Sequence, residues 1–268
     1  MKQNSDPKTV AFLARRRKGV YILPNLFTTA GLFAGFFAII QATVGQFDQA
    51  AIAIFVAMIM DALDGRVARI TSTASDFGKE YDSLADVIAF GLAPTLVIYE
   101  WLLKSVGHRG WLIAFIFVAA AALRLARFNS QENRDTRYFQ GLPCPMAASV
   151  VAAGIWVADS HNIDGTWATV GGMAVMVMLA LAMVSTTPYR SFKDFDFGNR
   201  VPFVSLLFVV CLFVLISLNP PWVLLFLTTS YFLSGPFVWL CSRSKLGRSL
   251  FTKGESTNEV REKRPGQT

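Results

Sequence analysis

The sequence predicts an all-α polytopic membrane protein with eight transmembrane helices. Hydrophobic residues make up 53% of the 268 residues and charged residues only 16%, whereas a soluble globular chain carries about 25% charge. The charged residues are concentrated in short segments between long apolar stretches, and most Lys and Arg lie at one set of segment ends. This distribution excludes a soluble enzyme, a disordered chain and a fibrous protein.

A transmembrane helix needs about 20 mostly apolar residues. Eight runs fit this requirement: 23–43, 49–70, 83–103, 110–127, 143–159, 166–187, 201–218 and 220–241. The fifth run is short and rich in small residues, and Pro220 and Pro221 separate the last two. Tryptophans lie near the predicted span ends, where interfacial aromatic residues are expected.

Two polar segments flank the predicted spans. Residues 1–20 form the first segment. Its part 7–20 mixes apolar residues with a block of four cations, which favours a helix lying on the cytoplasmic membrane surface. No small-residue cleavage site follows the first apolar run, so we expect it to be retained as a span. Residues 242–268 are polar and predict a cytoplasmic tail without a packed core.

The positive charges predict the orientation in the membrane. Of the 25 Lys and Arg residues, 23 lie before the first span, after the last, or at the connections 2–3, 4–5 and 6–7. Only Lys104 and Arg109 lie on the opposite side. Because Lys and Arg are enriched on the cytoplasmic side, both termini and these three connections are predicted to be cytoplasmic. Topology and contacts with anionic membrane lipids explain the net charge of +7 without a nucleic-acid partner.

Four carboxylates lie at the predicted cytoplasmic ends of spans two and three. Asp61 and Asp64 are three residues apart, and Asp82 and Asp86 are four apart, so each pair projects from one helical face. Acidic groups beside a bilayer are costly unless they are paired or bind a cation. Oxygen ligands without His or Cys favour a hard cation such as Mg²⁺, Mn²⁺ or Ca²⁺, and two such ions typically serve phosphate chemistry.

The acids belong to a longer pattern, Asp61-x2-Asp64-Gly65-x2-Ala68-Arg69-x8-Gly78-x3-Asp82-x3-Asp86. All eight fixed positions match the signature of the CDP-alcohol phosphotransferase family, which the chain therefore resembles. The resemblance implies a six-helix membrane core within 21–200, usually homodimeric, whose polar cavity opens to the cytoplasm. Residues 201–241 would then be two additional transmembrane helices.

The resemblance also implies roles for single residues. Asp61, Asp64, Asp82 and Asp86 would bind two divalent cations, Mg²⁺ or Mn²⁺, and Asp86 would also be the base for the acceptor hydroxyl. The expected contacts to CDP and phosphate come from Gly65, Ala68, Arg69 and Gly78, with Asn25 and Thr28 of the PNLFT segment beside the nucleotide. Gly78 is further expected to permit a tight connection between spans two and three.

Three further stretches bear on the acceptor: RLARFN (124–129), GLPCPMAAS (141–149) and MVSTTPYRSFK (183–193). They resemble the bacterial integral-membrane phosphatidylserine synthases, which implies CDP-diacylglycerol as donor, L-serine as acceptor and the bacterial inner membrane as location. The candidate residues for the acceptor are the cations of these stretches, Arg124, Arg127, Arg190 and Lys193. Each could instead serve as a topology signal, and glycerol 3-phosphate would also fit several cations, so a phosphatidylglycerophosphate synthase remains the alternative.

The pattern predicts a single direct displacement, because none of the motif's fixed positions is a Ser, His or Cys set beside a base as a nucleophile. A transporter is the alternative from another class, since acids in membranes can relay protons or cations. Such relays typically lie near the bilayer midplane and often within inverted repeats. Here the acids cluster at one margin and no repeat is visible, which favours the enzyme.

Overall fold

The computed structural model describes residues 22–71, 75–130, 138–190 and 203–243. Its helices are α1 (Ile22–Thr43), α2 (Phe47–Ile70), α3 (Asp76–Asp86), α4 (Ala93–Trp101), α5 (His108–Ser130), α6 (Cys144–Ser160), α7 (Thr166–Val184), α8 (Phe203–Leu218) and α9 (Pro220–Arg243). A π-helical segment, Val87–Leu92, joins α3 to α4, and a 3₁₀ turn, Leu103–Val106, precedes α5. Two three-residue strands, β1 (Tyr138–Gln140) and β2 (Pro188–Arg190), pair in antiparallel fashion. The protein is an all-α polytopic membrane protein.

Each of the eight predicted spans coincides with a helix or with a continuous helical run. In the described part of the chain, four helical runs are long and apolar enough to cross a membrane: Leu23–Thr43, Asp76–Trp101, His108–Ser130 and Thr166–Val184. Helix α6 is apolar but shorter, as its predicted length indicated. The proposed interfacial helix at 7–20 lies outside the described residues, as does almost all of the predicted tail.

Of the predicted span ends that differ from the structure, two have a clear local cause. The third helical run begins at Asp76 rather than at 83, because the Ser75 hydroxyl caps it by accepting a 3.0 Å hydrogen bond from the Gly78 amide. The first turns of α3 are polar, so a search for apolar residues missed them. Helix α7 ends at Val184 rather than at 187, since Ser185 adopts extended backbone torsion angles shortly before Pro188.

The π-helical segment follows Asp86 directly. The amide of Ala93 donates its hydrogen bond to the carbonyl of Ile88, five residues earlier. Pro94 has no amide hydrogen, which interrupts the regular α-helical ladder at this point. Helix α1 packs closely here, because a Cβ atom on Gly35 would lie 2.7 Å from the Cα of Ala89.

Small residues line the contacts between the helices. Helix α1 packs against α2, α2 against α6, α5 against α7, and α6 against α9. The fully buried alanines at these contacts include Ala38, Ala50, Ala57, Ala147 and Ala152. Such side chains let helices approach closely in lipid, where packing rather than the hydrophobic effect drives association. Large apolar side chains such as Phe33, Phe115 and Leu181 are exposed on the outer faces, where lipid would cover them.

The strand pair joins the start of α6 to the end of α7. The Gly141 amide donates to the carbonyl of Thr187 (3.0 Å), and the Leu142 amide donates to that of Ala182 (3.0 Å). Gly141 has a φ of +78°, and a Cβ atom there would lie 2.4 Å from the Met183 carbonyl oxygen. Glycine is therefore required at this crossing. The pair holds the ends of α6 and α7 together at the end of the bundle that carries the acids.

Candidate active site

Helices α1, α2 and α3 and the π-helical segment enclose one cavity. The four aspartates of the sequence motif all line it. The remaining lining residues are apolar or small apart from one threonine: Thr28, Gly31, Leu32, Ala57, Ala85, Ala89 and Phe90. The helical spacing predicted that each pair of acids shares a face, and the structure brings the two faces together.

Three of the acids are close enough to share one cation. One carboxylate oxygen from each of Asp61, Asp64 and Asp82 lies within 4.8 Å of the others. Asp64 is buried, and the other two are half-buried. Like charges this close in a poorly solvated place repel one another unless a cation neutralises them. The donor set, three hard oxygens from two helices, fits a divalent metal ion.

Asp86 lies one helical turn beyond Asp82 and lines the same cavity, but it is not part of the close group of three. The structure thus separates the four acids into a triad and a neighbour. This arrangement leaves Asp86 available to a second ion or to a substrate proton, as the resemblance implied. Its role as base and ligand stays a prediction.

Thr28 contacts the triad directly. Its hydroxyl donates a 2.9 Å hydrogen bond to Oδ2 of Asp64, and it also lies 3.2 Å from the carbonyl oxygen of Pro24. Both Thr28 and Asp64 are 5% exposed. The sequence predicted Thr28 beside the nucleotide, whereas its hydroxyl here orients a carboxylate of the triad. Only the packing of α1 on α2 creates this contact, so no sequence pattern pointed to it.

The residues expected to bind CDP lie around the C-terminal end of α2. Gly65 is exposed, and a Cβ atom there would have no described neighbour within 4 Å, so there is free space over the helix backbone. The Arg69 side chain is exposed, and its Nε donates a 2.9 Å hydrogen bond to the Gly65 carbonyl. Ala68 is half-buried between them. This surface can accommodate a nucleotide close to the helix, with a cation beside it.

The position of Gly78 in the fold differs from the predicted one. It lies in the first turn of α3 rather than in the connection between α2 and α3. A Cβ atom on Gly78 would lie 3.3 Å from Oδ1 of Asn25, so the glycine allows α1 and α3 to approach each other. A second contact between these helices, which the sequence did not indicate, is a 2.9 Å hydrogen bond between the hydroxyls of Thr29 and Tyr81.

Arg124 is the acceptor candidate that the structure places beside the acids. Its guanidinium group interacts electrostatically with Asp86 and donates a long hydrogen bond from Nη1 to Sγ of Cys144 (3.7 Å). Its Nε atom is buried and has no hydrogen-bond partner among the described residues. Arg124 is therefore a cation near Asp86 with one unpaired hydrogen-bonding atom, and its role as an acceptor ligand stays a prediction.

Among the other three acceptor candidates, the structure describes a side-chain contact for Arg127. Arg127 Nη1 lies 3.5 Å from the carbonyl oxygen of Val184, which is the usual arrangement of a cation at the C-terminal end of a helix. Arg190 is the last residue of β2. Lys193 lies outside the described residues. Their roles as acceptor ligands stay predictions.

Comparison with known proteins identifies the family. Residues 21–187 match the family described as CDP-alcohol phosphatidyltransferase. The chain belongs to this family. The resemblance inferred from the eight-position signature is therefore confirmed. Proteins of this family depend in general on divalent metal ions, and the aspartate triad could hold one.

Several relatives share more than the signature. A CDP-diacylglycerol–serine O-phosphatidyltransferase of Helicobacter pylori (strain ATCC 700392 / 26695) is 36% identical over 239 residues, which cover 88% of this chain and 98% of the relative. Its counterpart in strain J99 is 38% identical over 197 residues, or 73% of this chain and 83% of the relative. An archaetidylserine synthase of Methanothermobacter thermautotrophicus is 31% identical over 189 residues, or 69% of this chain and 73% of the relative.

Proposed function

We propose that the protein transfers the phosphatidyl group of CDP-diacylglycerol to the hydroxyl group of L-serine, which yields phosphatidylserine and CMP. The observation that carries this proposal is the cavity lined by the aspartate triad and Asp86, with Arg124 close enough to Asp86 to interact with it electrostatically. The names of the two Helicobacter pylori relatives contain both CDP-diacylglycerol and serine and support this substrate pair.

The donor would bind across the cytoplasmic ends of α1, α2 and α3, with its acyl chains among the helices and the membrane lipids. The open backbone at Gly65 and the small side chain of Ala68 leave room for the nucleotide. Arg69, whose Nε donates to the Gly65 carbonyl, would contact phosphate, and Asn25 lies at the junction of α1 and α3. This assignment uses the residues predicted for CDP and adds Thr28 as a support of Asp64.

Asp61, Asp64 and Asp82 would hold one divalent cation, and Asp86 would help to hold a second. When bound, two Mg²⁺ or Mn²⁺ ions neutralise the pyrophosphate and stabilise the departing CMP. Thr28 fixes the orientation of the Asp64 carboxylate through its hydrogen bond. Burial of Asp64 keeps competing water away from its carboxylate.

Asp86 would accept the proton of the serine hydroxyl. The serine oxygen then forms a bond to the β-phosphorus, the bond from that phosphorus to the bridging oxygen breaks, and CMP leaves with the electron pair. Positioned general-base help is worth about 10²–10⁴ in rate. Arg124, beside Asp86, would bind the serine carboxylate and bring the hydroxyl to the base. The displacement is direct, so the configuration at phosphorus inverts.

The proposal extends to location and assembly. The distribution of Lys and Arg supports cytoplasmic termini and a cytoplasmic active site. The bacterial inner membrane is proposed from the resemblance to bacterial phosphatidylserine synthases. Residues 21–200 would form the catalytic membrane domain, and 201–241 would add two spans. A homodimer is proposed from the family resemblance, and light scattering of the detergent-solubilised protein tests it by the mass of the protein component.

The decisive experiment measures CMP release by the purified, detergent-solubilised protein from CDP-diacylglycerol and Mn²⁺ or Mg²⁺. L-serine, glycerol 3-phosphate and inositol are offered separately, each with an EDTA control. We expect release with serine alone, its loss with EDTA, and phosphatidylserine as the lipid product. When an aspartate of the cavity is replaced, as in Asp86→Asn, the matched control is Asp48→Asn. Asp48 is exposed in the first turn of α2, at the opposite end from the triad.

The other outcomes are equally informative. If CMP is released with glycerol 3-phosphate instead of serine, the proposed metal site is retained and glycerol 3-phosphate replaces serine as the acceptor. Absence of release with every alcohol, from protein that is folded by circular dichroism and monodisperse, would contradict the enzyme and restore the transporter alternative.

A further inference from the structure

Helix α3 carries Asp82 and Asp86, yet apolar packing holds it only weakly. Of its 11 residues, all of which the structure describes, only Ala85 is buried. The rotation of α3 about its own axis nevertheless decides where its acids point. A rotation of about 20° would move a carboxylate that lies about 6 Å from the axis by about 2 Å, whereas metal–oxygen distances vary by only about 0.2 Å. Contacts other than apolar burial must therefore fix this rotation.

Asn129 makes such a contact from the end of α5. Its Nδ2 donates a 2.9 Å hydrogen bond to the hydroxyl oxygen of Ser83, the residue that follows Asp82, and this bond is partly buried. The Ser83 hydroxyl gives its only proton to the carbonyl of Lys79 (3.1 Å), so its oxygen can only accept from Asn129. The contact therefore requires the NH₂ group of the amide, which a side chain without a donor could not replace.

A second hydrogen bond holds α3 from the opposite side. The hydroxyls of Tyr81 and of Thr29 on α1 lie 2.9 Å apart. Because successive residues of a helix are about 100° apart, Tyr81 and Ser83 point in nearly opposite directions, and Asp82 projects between them. Thr29 is exposed, so water competes for its bond more than for the partly buried bond to Asn129. The contact with α5 is therefore the stronger of the two restraints.

The contact between Asn129 and Ser83 belongs to a longer alignment of α5 with this part of the chain. A Cβ atom on Gly91 would lie 3.3 Å from the Cβ of Ala121, so the two segments also approach closely there. Eight residues lead from Ser83 to Gly91, and eight lead from Ala121 to Asn129, as expected of two antiparallel helices that lie side by side. Asp86 lies between the two contacts. Helix α5 therefore restrains the chain on both sides of this acid.

We propose that Asn129 is a positioning residue that, through Ser83, fixes the rotation at which Asp82 joins the aspartate triad. The hydrogen bond between Tyr81 and Thr29 opposes it from the other side, so that α3 is held against turning in either direction. The proposal rests on the proposed function, because it takes the triad as a metal site. The RLARFN stretch then serves the metal site through its last residue, in addition to any role of its cations towards the acceptor.

The test compares Mn²⁺ binding by the purified, detergent-solubilised variants, measured without substrates from the EPR signal of the free ion. Asn129→Ala and Ser83→Ala each remove one partner of the hydrogen bond. We expect the dissociation constant for Mn²⁺ to rise about twofold to tenfold in each, the contribution of one neutral hydrogen bond. Tyr81→Phe should raise it less, because its bond is exposed. The double variant of Asn129 and Ser83 should bind no more weakly than the weaker single variant, since both changes remove the same bond.

Two further variants separate positioning from general support of the fold. Ser83→Thr keeps the hydroxyl and should bind Mn²⁺ like the wild-type protein. Ser160→Ala is the matched control, because the Ser160 hydroxyl also donates to a carbonyl four residues earlier, that of Trp156 (2.7 Å), but lies at the end of α6 away from the acids. It should leave the dissociation constant unchanged.

Three results would overturn the role of Asn129: an unchanged dissociation constant in Ser83→Ala, additive losses in the double variant, or a Ser83→Thr protein that binds as weakly as Ser83→Ala. If Asn129→Ala does not fold, the two Ser83 variants decide. Failure of the proposed function looks different, because the wild-type protein would then release no CMP with serine, whereas Mn²⁺ binding is measured without substrates.

Discussion

The hydrogen bond from Thr28 to Asp64 allows a sharp test of the metal site. Thr28→Val replaces the hydroxyl with a methyl group of similar size, so the packing of α1 on α2 is retained. The variant removes the 2.9 Å hydrogen bond to Oδ2 of Asp64 without touching a carboxylate. Since Asp64 is the most deeply buried acid of the triad, water cannot easily replace the lost donor.

The expected loss of metal affinity in Thr28→Val follows from the hydrogen bond that the variant removes. A hydrogen bond to a charged group contributes about 1.5–3 kcal/mol, and each 1.4 kcal/mol is a factor of about ten in an equilibrium constant. The carbonyl of Pro24, 3.2 Å from the same hydroxyl, competes for its proton, which places the loss in the lower part of this range. We expect the metal concentration for half-maximal activity to rise about 10-fold to 30-fold, in line with other residues that orient metal ligands.

The assay is CMP release titrated with Mn²⁺ and, in parallel, with Mg²⁺ at saturating substrates. Thr169→Val is the matched control, because Thr169 is also a buried helical threonine, and its hydroxyl donates to the Gly165 carbonyl far from the acids. The control should titrate like the wild-type protein. A Thr28→Val protein with an unaltered metal titration would refute the argument that Thr28 orients a metal ligand.

Three further predictions concern the proposed base, the proposed nucleotide surface and the packing of α1. Asp86→Asn should bind CDP-diacylglycerol normally and lose about 10²–10⁴ in turnover, measured as kcat for CMP release; near-normal kcat would exclude Asp86 as the base. Gly65→Ala should leave the melting temperature unchanged, because no described atom lies within 4 Å of the new Cβ, yet raise the KM for CDP-diacylglycerol; an unchanged KM would place the nucleotide elsewhere. Gly35→Ala should show the opposite pattern and destabilise the fold by about 1–3 kcal/mol, since its Cβ would lie 2.7 Å from the Ala89 backbone; thermal unfolding in detergent checks this, and an unchanged transition would contradict the packing.

The helices and the acids were predictable because local patterns encode them. Long apolar runs specify spans, and helical spacing places Asp61 with Asp64 and Asp82 with Asp86. The motif further indicated that the two pairs meet, and three of the four carboxylates do converge. Arg124 was one of four cations of equal standing in the sequence, and only the packing of α5 against the acids distinguishes it.

Contacts between distant segments were not readable from the sequence. The bond from Thr28 to Asp64 depends on how α1 lies against α2, and the pairing of Tyr189 with Tyr231 depends on where α9 docks. The strands β1 and β2 were missed because three residues in a polar connection are too short to show an alternating pattern. The π-helical segment was missed because an apolar run looks the same in either type of helix.

The π-helical segment Val87–Leu92 constrains the number of residues between α3 and α4. A π turn holds one residue more than an α turn, so it offsets the helix before it from the helix after it by about 100°. The acids of α3 therefore aim at α2 while α4 keeps its own packing face. Deleting one residue here would restore a regular α-helix and swing Asp82 and Asp86 out of the cavity. Loops of this protein should tolerate insertions and deletions, whereas the residue count between Asp82 and Trp101 should be fixed.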